Sequence, residues 1–158
     1  MIDMHSDDHF MAEALRQARR AFASDEVPVG AVIVREGRII ARAFNQVELL
    51  KDATAHAEML ALTQAQSDFN DWRLTGCSLY VTKEPCPMCA GAIVQSRVER
   101  VIYALEDPKG GAAGSVMNIL QCPTLNHHCE ITGGIRGPES QTLLKTFFAQ
   151  KRASKRDN

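Results

Sequence analysis

Residues 77–105 read CSLYVTKEPCPMCAGAIVQSRVERVIYAL, a segment in which two short apolar runs flank a stretch that contains proline and cysteine. The runs 77–82 and 100–105 have the length and the bounding polar residues of buried strands. Pro87 suits the first position of a helix, because its φ is fixed near the helical value and the first turn does not need its missing N–H group. The apolar residues after it predict a helix that ends near Ser96. A strand, a helix and a strand in this order predict parallel neighbouring strands joined by a right-handed crossover.

The segments on either side of this unit predict alternating helices and strands. Apolar residues at helical spacing predict a first helix with Ser6 as its N-cap, and the β-branched runs around Glu36 and Gly37 predict a hairpin. The order of all the predicted elements indicates a three-layer α/β/α fold, in which helices cover both faces of a mixed central sheet of about five strands. The remaining elements are a helix from Thr54 to about Ser67, a glycine-rich loop at 109–115, a weak strand near 129–132 and a closing helix at 139–151.

Length and composition describe one globular domain. The chain has 158 residues, 45% of them apolar and 23% charged, which indicates a single domain over 1–158. Five cysteines, an odd number, are not the pattern of a disulfide framework. The first ten residues are acidic where a secretory signal is basic, and no apolar run approaches the length of a membrane span. We therefore expect a cytoplasmic protein without a membrane partner, in which a close cysteine pair binds metal or takes part in catalysis.

The net charge of −1 does not indicate a nucleic-acid-binding protein, but the charge is unevenly distributed. A basic tail begins at about residue 151, and charge alone favours a solvated and frayed tail. Such a tail gains a function only if the substrate is a polyanion. The basic residues of the C-terminal region, which face only Asp157, are Lys145, Lys151, Arg152, Lys155 and Arg156.

A second motif, TAHAEM at 54–59, supports a metal-binding role for the cysteine pair. A lone C-x-x-C is a weak signal, but His56 together with Cys86 and Cys89 is a ligand set that zinc prefers. Three protein ligands leave one tetrahedral position open, which is the pattern of a catalytic site rather than a structural one. The sequence therefore favours a catalytic zinc site.

Helix geometry restricts where such a site can lie. His56 and Glu58 would point about 200° apart on the flank of a helix, so they serve one site only if it lies beyond the helix N-terminus. The same holds for Cys86 and Cys89 at the start of the next helix. We therefore expect two helix N-termini to converge, where their dipoles favour thiolates. Glu58 is not expected to be a ligand, because a carboxylate beside an activated water takes its proton and passes it on.

Other interpretations of these residues stay open. A single histidine such as His56 is typical of a surface or capping residue, and two cysteines alone are typical of an inert core. The C-P-x-C spacing also resembles a glutaredoxin active site, although that pair follows an early strand and this one lies past the middle of the chain. A closed structural zinc site would take its fourth ligand from His127, His128 or Cys129.

The motif H-x-E followed by P-C-x-x-C is the signature of the zinc nucleobase deaminases. The chain resembles the bacterial tRNA adenosine deaminases essentially end to end, in VPVGAVIV, TAHAEM, the WRL turn, LYVTKEPCPMCAGAIVQSRV, the GAAGS loop, LNH and the FF pair. The resemblance implies a cytidine-deaminase-like fold and a homodimer. It also implies hydrolysis of a C–N bond of a cyclic amidine, which converts the wobble adenosine of an arginine tRNA anticodon to inosine.

The resemblance also implies roles for single residues. His56, Cys86 and Cys89 would bind one Zn²⁺ per subunit, and Glu58 would move the proton of the attacking water to the ring nitrogen and then to the departing ammonia. The residues implied to bind the base are Asn45, Val29, Gly30, Ala57 through its amide, and Pro85 and Cys86 through amides near them. The residues implied to grip the anticodon loop are Asp107, Lys109, Asn126, His127, Phe147, Phe148, Lys151 and Arg152.

The chain departs from the family pattern at a few positions. Ala53 replaces a common proline, and Ala149 with Gln150 replaces a common arginine. Lys83 replaces an apolar residue and is a candidate phosphate contact. A deaminase of a free base, such as guanine or cytosine, shares the zinc site and is the alternative function. The LNH stretch, the GAAGS loop and the FF helix favour RNA, because an enzyme that encloses a free base has no obvious use for them.

Overall fold

The computed structural model describes residues 5–157. Residues 1–4, where the predicted domain and the acidic N-terminal stretch begin, and residue 158, where the predicted domain ends, lie outside that range. Apart from a short helix, α2, the elements follow the predicted order. The helices are α1 Asp7–Ala23, α2 Val47–Leu50, α3 Ala57–Phe69, α4 Pro87–Gln95 and α5 Gly137–Arg156. The strands are β1 Gly30–Arg35, β2 Arg38–Phe44, β3 Cys77–Lys83, β4 Arg100–Leu105 and β5 Glu130–Thr132.

The described strands form a five-stranded mixed sheet in the order β2-β1-β3-β4-β5. Strand β1 runs antiparallel to β2 and β3, whereas β3, β4 and β5 are parallel to one another. Glu36 and Gly37 join β1 to β2 with positive φ angles of 50° and 74°, which suit a two-residue hairpin turn. The predicted hairpin and the parallel β3–β4 pair are confirmed.

Alternate residues of the strands point into two separate cores. On one face of the sheet, Leu79 and Val101 pack in a cluster with the buried alanines of α3 and α4. On the other face, Tyr80 and Ile102 pack with Met11 of α1, and α5 covers the edge of that cluster. Burying an apolar side chain of this size stabilises the fold by about 1.5–3 kcal/mol. The two cores hold the sheet between two helical layers, which confirms the predicted three-layer fold.

The start of α1 is fixed by its own cap and by the sheet. The amide of His9 donates to Oγ of Ser6 at 3.1 Å, so the predicted N-cap is confirmed. The carboxylate of Asp7 accepts a hydrogen bond from the Tyr80 hydroxyl at 2.7 Å and from the Arg100 guanidinium at 3.0 Å. These contacts tie the first turn of α1 to β3 and β4.

The bounds of two predicted helices are wrong, and the closing helix, predicted over 139–151, begins at Gly137 and ends at Arg156. Helix α3 begins at Ala57 rather than Thr54, because His56 has an extended backbone (φ −70°, ψ 153°) and forms the N-cap. Helix α5 runs through Arg156, so the interpretation of the basic tail as frayed is wrong. An ion pair from its last turns to the loop after α1 helps to hold this end of the helix in place.

Within residues 5–157, no helix is both long enough and apolar enough to cross a bilayer.

Candidate active site

The site lies beyond the end of β3, between the N-termini of α3 and α4. His56 is the N-cap residue of α3 and Cys86 is the N-cap residue of α4, and neither side chain makes a capping hydrogen bond. Nδ1 of His56 lies 3.6 Å from Sγ of Cys86 and 3.5 Å from Sγ of Cys89. The predicted convergence of two helix N-termini on one point is confirmed.

The three donors fit a tetrahedral zinc ion. Zinc binds nitrogen at about 2.0 Å and sulfur at about 2.3 Å, so a nitrogen and a sulfur at a tetrahedral angle are separated by about 3.5 Å. The ligand atoms of His56, Cys86 and Cys89 all lie within 4.8 Å of one another, and both N–S distances match that separation. Among the described residues, no other group of His, Cys, Asp and Glu side chains is arranged in this way.

The side chains considered as a fourth, closing ligand lie elsewhere. Nε2 of His127 is 2.6 Å from the carbonyl oxygen of Val98, and the Cys129 thiol donates to the same oxygen at 3.2 Å. Nε2 of His128 lies 2.9 Å from the carbonyl oxygen of Cys122. Because Val98 precedes β4, these residues lie near the end of the sheet opposite the metal donors. None of the three joins the donor cluster.

Glu58 lies beside the three donors without being one of them. It belongs to the first turn of α3 and is only 4% exposed. After the Cys86 hydrogen bond and burial, its charge adds to the raised pKa of the Cys89 thiol. Burial raises the pKa of Glu58, because the ionised carboxylate loses its hydration. A carboxyl group with a raised pKa exchanges protons near neutral pH more readily than an exposed glutamate does.

The pKa values of the two neighbouring thiols move in opposite directions. The hydrogen bond from Cys89, aided by His56, lowers the pKa of Cys86 to about 4. The same hydrogen bond, together with burial, raises the pKa of Cys89. The hydrogen bond with Cys86 also raises the pKa of His56. A bound cation would displace these protons, because zinc takes thiolate and neutral imidazole as ligands.

A cleft of about 880 Å³ opens onto these residues. Its lining includes His56, Glu58 and Cys86. The residues assigned to the substrate by resemblance divide into two groups. Those that line the cleft are Val29, Asn45, Ala57, Asp107, Phe147, Phe148 and Lys151. Those that do not are Gly30, Pro85, Lys109, Asn126, His127 and Arg152.

Asn45 is held by the segment that precedes β1. Its backbone N–H donates to the carbonyl oxygen of Val29 at 3.0 Å, and its side-chain Nδ2 donates to the carbonyl oxygen of Val27 at 3.3 Å. Gly30, in contrast, lies against α1, where a Cβ atom would come within 2.1 Å of the carbonyl oxygen of Ala14. The glycine therefore allows α1 to pack closely on β1 instead of shaping the wall of the cleft.

Asn126 and His127 are not brought to the cleft of their own chain. His127 is bonded to the residue that leads into β4, and β4 runs parallel to β3. The metal donors lie at the opposite end of β3, which spans residues 77–83 and is therefore roughly 20 Å long. The structure thus separates these two residues from the other predicted substrate contacts.

The chain matches the family described as MafB19-like deaminase over residues 5–152. A tRNA-specific adenosine deaminase from Aquifex aeolicus (strain VF5) is 58% identical over 145 residues, which cover 92% of this chain and 95% of that protein. The tRNA-specific adenosine deaminase from Bacillus subtilis (strain 168) is 47% identical over 153 residues, which cover 97% of this chain and 95% of that protein. This chain belongs to the tRNA-specific adenosine deaminase family.

A solved structure supports the same family assignment. It comes from a study of A-to-I editing by tRNA:A34 deaminases at the wobble position of transfer RNA, and it matches with a TM-score of 0.83 and 46% sequence identity. The match covers 86% of this chain and 99% of that one. The resemblance to the tRNA-specific adenosine deaminases that the sequence motifs indicate is confirmed, and with it the deaminase fold.

Glu84 is a site residue of this tRNA-specific adenosine deaminase family member that sequence reasoning missed. It is 3% exposed, and it accepts hydrogen bonds from the amides of Asp107, Ala113 and Ser115 at 3.0–3.1 Å. Burial opposes ionisation, but these bonds and that of the Ser115 hydroxyl prevail and lower the pKa of Glu84. The carboxylate joins the metal-binding loop to the loop 107–115. The sequence did offer one sign of this role, because Glu84 is a charged residue between a predicted buried strand and the ligand Cys86.

Lys83 and Glu26 are among the other charged residues that line the cleft. Nζ of Lys83 lies 3.3 Å from Oδ2 of Asp107, and its contact with a substrate phosphate stays a prediction. Glu26, which the sequence did not single out, is 1% exposed and accepts hydrogen bonds from two amides of α2.

Proposed function

We propose that this chain is a zinc-dependent hydrolase that converts the wobble adenosine of an arginine tRNA anticodon to inosine. The observation that carries the proposal is the arrangement around His56. Three zinc-type donors and one buried carboxylate that is not among them meet where a cleft opens whose lining includes lysines and exposed apolar side chains. The names of the relatives support adenosine as the base and tRNA as the carrier.

The metal would be held by His56, Cys86 and Cys89. When bound, Zn²⁺ supplies a Lewis acid that activates a water molecule for attack on the base. The N-termini of α3 and α4 contribute positive electrostatic potential, which stabilises the two cysteines as thiolates. Their placement at helix starts also keeps the ligands on rigid elements.

Glu58 would carry the proton. Its carboxylate would take one proton from the attacking water and give it to the ring nitrogen. It would then take the remaining proton from the new C6 hydroxyl and give it to the amino group, which leaves as ammonia. The C6–O bond forms and the C6–N bond breaks, so water is consumed and ammonia is released. Burial of Glu58 keeps bulk water from competing for these protons. The base would be oriented by Asn45, Val29, the Ala57 amide and the amides near Pro85 and Cys86.

The rim of the cleft favours an RNA loop over a free base. Leu49 is 63% exposed and Phe148 is 42% exposed, so both present apolar surface on which unpaired bases can stack. Lys51, Lys151 and Lys155 line the same cleft and are placed to meet phosphates, which supply much of the affinity for RNA. The further anticodon-loop contacts in this proposal are Asp107, Lys109, Phe147 and Arg152.

The positions of Asn126 and His127 favour a homodimer. If these residues contact the anticodon loop, as the resemblance implies, they do so at the cleft of a second subunit, because their own cleft lies at the other end of the sheet. A two-fold symmetric pair would bring the same loop to each cleft. We place this homodimer in the cytoplasm, with tRNA as its partner.

The proposed function is tested by incubating the purified protein with an arginine tRNA transcript that carries adenosine at the wobble position. Sequencing reads inosine as guanosine, and a transcript with a second adenosine elsewhere in the loop controls for position. Parallel incubations with adenosine, guanine and cytosine measure ammonia release. We expect inosine at the wobble position alone. Ammonia from a free base, with an unedited anticodon, would assign the chain to free-base deamination instead.

A further inference from the structure

Glu26 is a buried carboxylate of the cleft lining that the proposed chemistry does not use. It directly precedes the segment 27–29, which holds Asn45. Each of its oxygens accepts one backbone amide of α2: Oε1 lies 2.6 Å from the nitrogen of Leu49, and Oε2 lies 3.1 Å from the nitrogen of Glu48. The donors are 22 and 23 positions away in the sequence, so these bonds link two separate parts of the cleft wall.

Apart from Glu26, helix α2 is held by backbone hydrogen bonds at its two ends, such as Gln46 N–H to the carbonyl oxygen of Ala55, and by little side-chain packing. It contains four residues, none of them buried, and its N-cap residue Gln46 makes no side-chain capping bond. A helix this short is not stable by itself, and the amides of its first turn need acceptors from elsewhere. Glu26 supplies those acceptors. Because α2 has no buried side chain, no core packing would replace the two hydrogen bonds.

The residues that Glu26 holds in place form one wall of the cleft. Asn45 is held separately, by the carbonyl oxygens of Val27 and Val29. Loss of the Glu26 carboxylate should therefore displace α2 and leave Asn45 in place. The residues of this wall that line the cleft are Val47, Glu48, Leu49 and Lys51.

We propose that Glu26 is a positioning residue, whose carboxylate fixes α2 so that Leu49 and Lys51 meet the nucleotides that flank the target adenosine. The inference rests on the proposed function, because it assigns an RNA flank to this wall. Among the described residues, the side-chain bonds of Glu26 go to α2 and not to the metal donors. Glu26 therefore acts on tRNA binding rather than on proton transfer.

Kinetics of two Glu26 variants separate these roles. Glu26→Gln keeps the size of the side chain but turns one acceptor into a donor that faces an N–H group. We expect KM for the tRNA transcript to rise about tenfold or more, as loss of a buried hydrogen bond to a charged group implies. At saturating tRNA, kcat should stay within about threefold. Glu26→Asp keeps both acceptor oxygens on a shorter side chain. Its KM should therefore lie between the values of the wild-type protein and Glu26→Gln.

Two further variants make the result independent of folding. Leu49→Ala changes an exposed side chain of α2 and should raise KM in the same way without threatening the fold. Asp7→Asn is the matched control, because it removes a carboxylate that fixes a helix outside the cleft lining. It should lower stability and leave KM unchanged.

Amide hydrogen exchange tests the same inference without requiring activity. The amides of Glu48 and Leu49 should exchange at least about tenfold faster in Glu26→Gln than in the wild-type protein. Unchanged exchange, or a fall in kcat at constant KM, would overturn the role of Glu26. An unedited tRNA with the wild-type protein would overturn the proposed function instead, and the exchange rates would still decide whether Glu26 fixes α2.

Discussion

Nζ of Lys151 lies 2.6 Å from Oδ1 of Asp25 on the rim of the cleft. The two residues are 126 positions apart, and the ammonium group also lies 5.5 Å from the ring centre of Phe147. An exposed ion pair of this kind contributes about 0–1 kcal/mol to stability. Its main consequence is therefore for binding, since Asp25 neutralises a lysine that is predicted to contact phosphate.

Asp25→Asn should strengthen RNA binding, because it releases Lys151. We expect an arginine anticodon stem-loop to bind a few-fold more tightly at low salt. The slope of log K against log salt concentration should steepen by up to about 0.7, the value for one more phosphate contact on a single strand. Fluorescence anisotropy across a salt series measures both quantities. Asp71→Asn removes the same charge from an exposed pair with Arg73 outside the cleft lining. Equal gains in both variants would show that net charge, and not the ion pair, is the cause.

Glu58→Ala should abolish turnover while the metal site persists, because it removes the proton carrier and leaves all three ligands. We expect kcat to fall by at least ~10²–10⁴-fold, the usual contribution of general acid–base catalysis. Metal analysis should still find one zinc per chain. Cys86→Ser should show the opposite pattern, because it removes a ligand: zinc binding weakens first, and turnover falls as a consequence. Zinc-free Glu58→Ala protein would identify the carboxylate as a ligand.

Asp7 should make stability depend on pH at the acid end. The hydrogen bond from Arg100 lowers the pKa of Asp7 below its ordinary value of 3.8. A carboxyl group with a depressed pKa stabilises the fold fully above its unfolded pKa, and this stability is lost as pH falls through the folded pKa. We expect Asp7→Asn to lower the free energy of unfolding at neutral pH by about 1–2 kcal/mol. Urea denaturation should show a smaller difference between variant and wild type below about pH 4. A constant difference at every pH would contradict this role.

Gly30 and Gly91 form a matched pair for testing how α1 packs on the sheet. A Cβ atom on Gly30 would meet the backbone of α1, whereas one on Gly91 in α4 meets nothing within 4 Å. We expect Gly30→Ala to lower the free energy of unfolding by about 3 kcal/mol or more. Gly91→Ala should be neutral or should stabilise by about 0.5–1 kcal/mol, because alanine is the better helix former. Thermal unfolding compares the two, and similar melting temperatures would contradict the close approach of α1 to β1.

The parts of the site that local sequence marks are the parts that could be predicted. Each metal ligand sits at or next to a helix start, and Pro87 shows one of those starts directly. The parallel strands β3 and β4 follow from a short strand–helix–strand unit that few topologies can accommodate. Helix geometry then allows His56 and Glu58 to serve one site only beyond the N-terminus of α3, and the structure places both residues there.

The parts that were missed depend on contacts between distant segments. Helix α2 is too short to show a periodicity, and its acceptor, Glu26, lies outside any motif. The charges after residue 151 favour a loose tail, whereas the segment continues the helix that buried Phe147 anchors to the rest of the fold. Asn126 and His127 belong to a family motif, but only the sheet topology shows how far they lie from their own cleft.

X-ray absorption at the zinc edge of the tRNA-editing protein tests the central claim most directly. We predict one zinc per chain with two sulfur neighbours at about 2.3 Å and two nitrogen or oxygen neighbours near 2.0 Å, only one of them an imidazole. A second imidazole, a third sulfur, or a disulfide between Cys86 and Cys89 in the active protein would contradict a site with three protein ligands and a place for water.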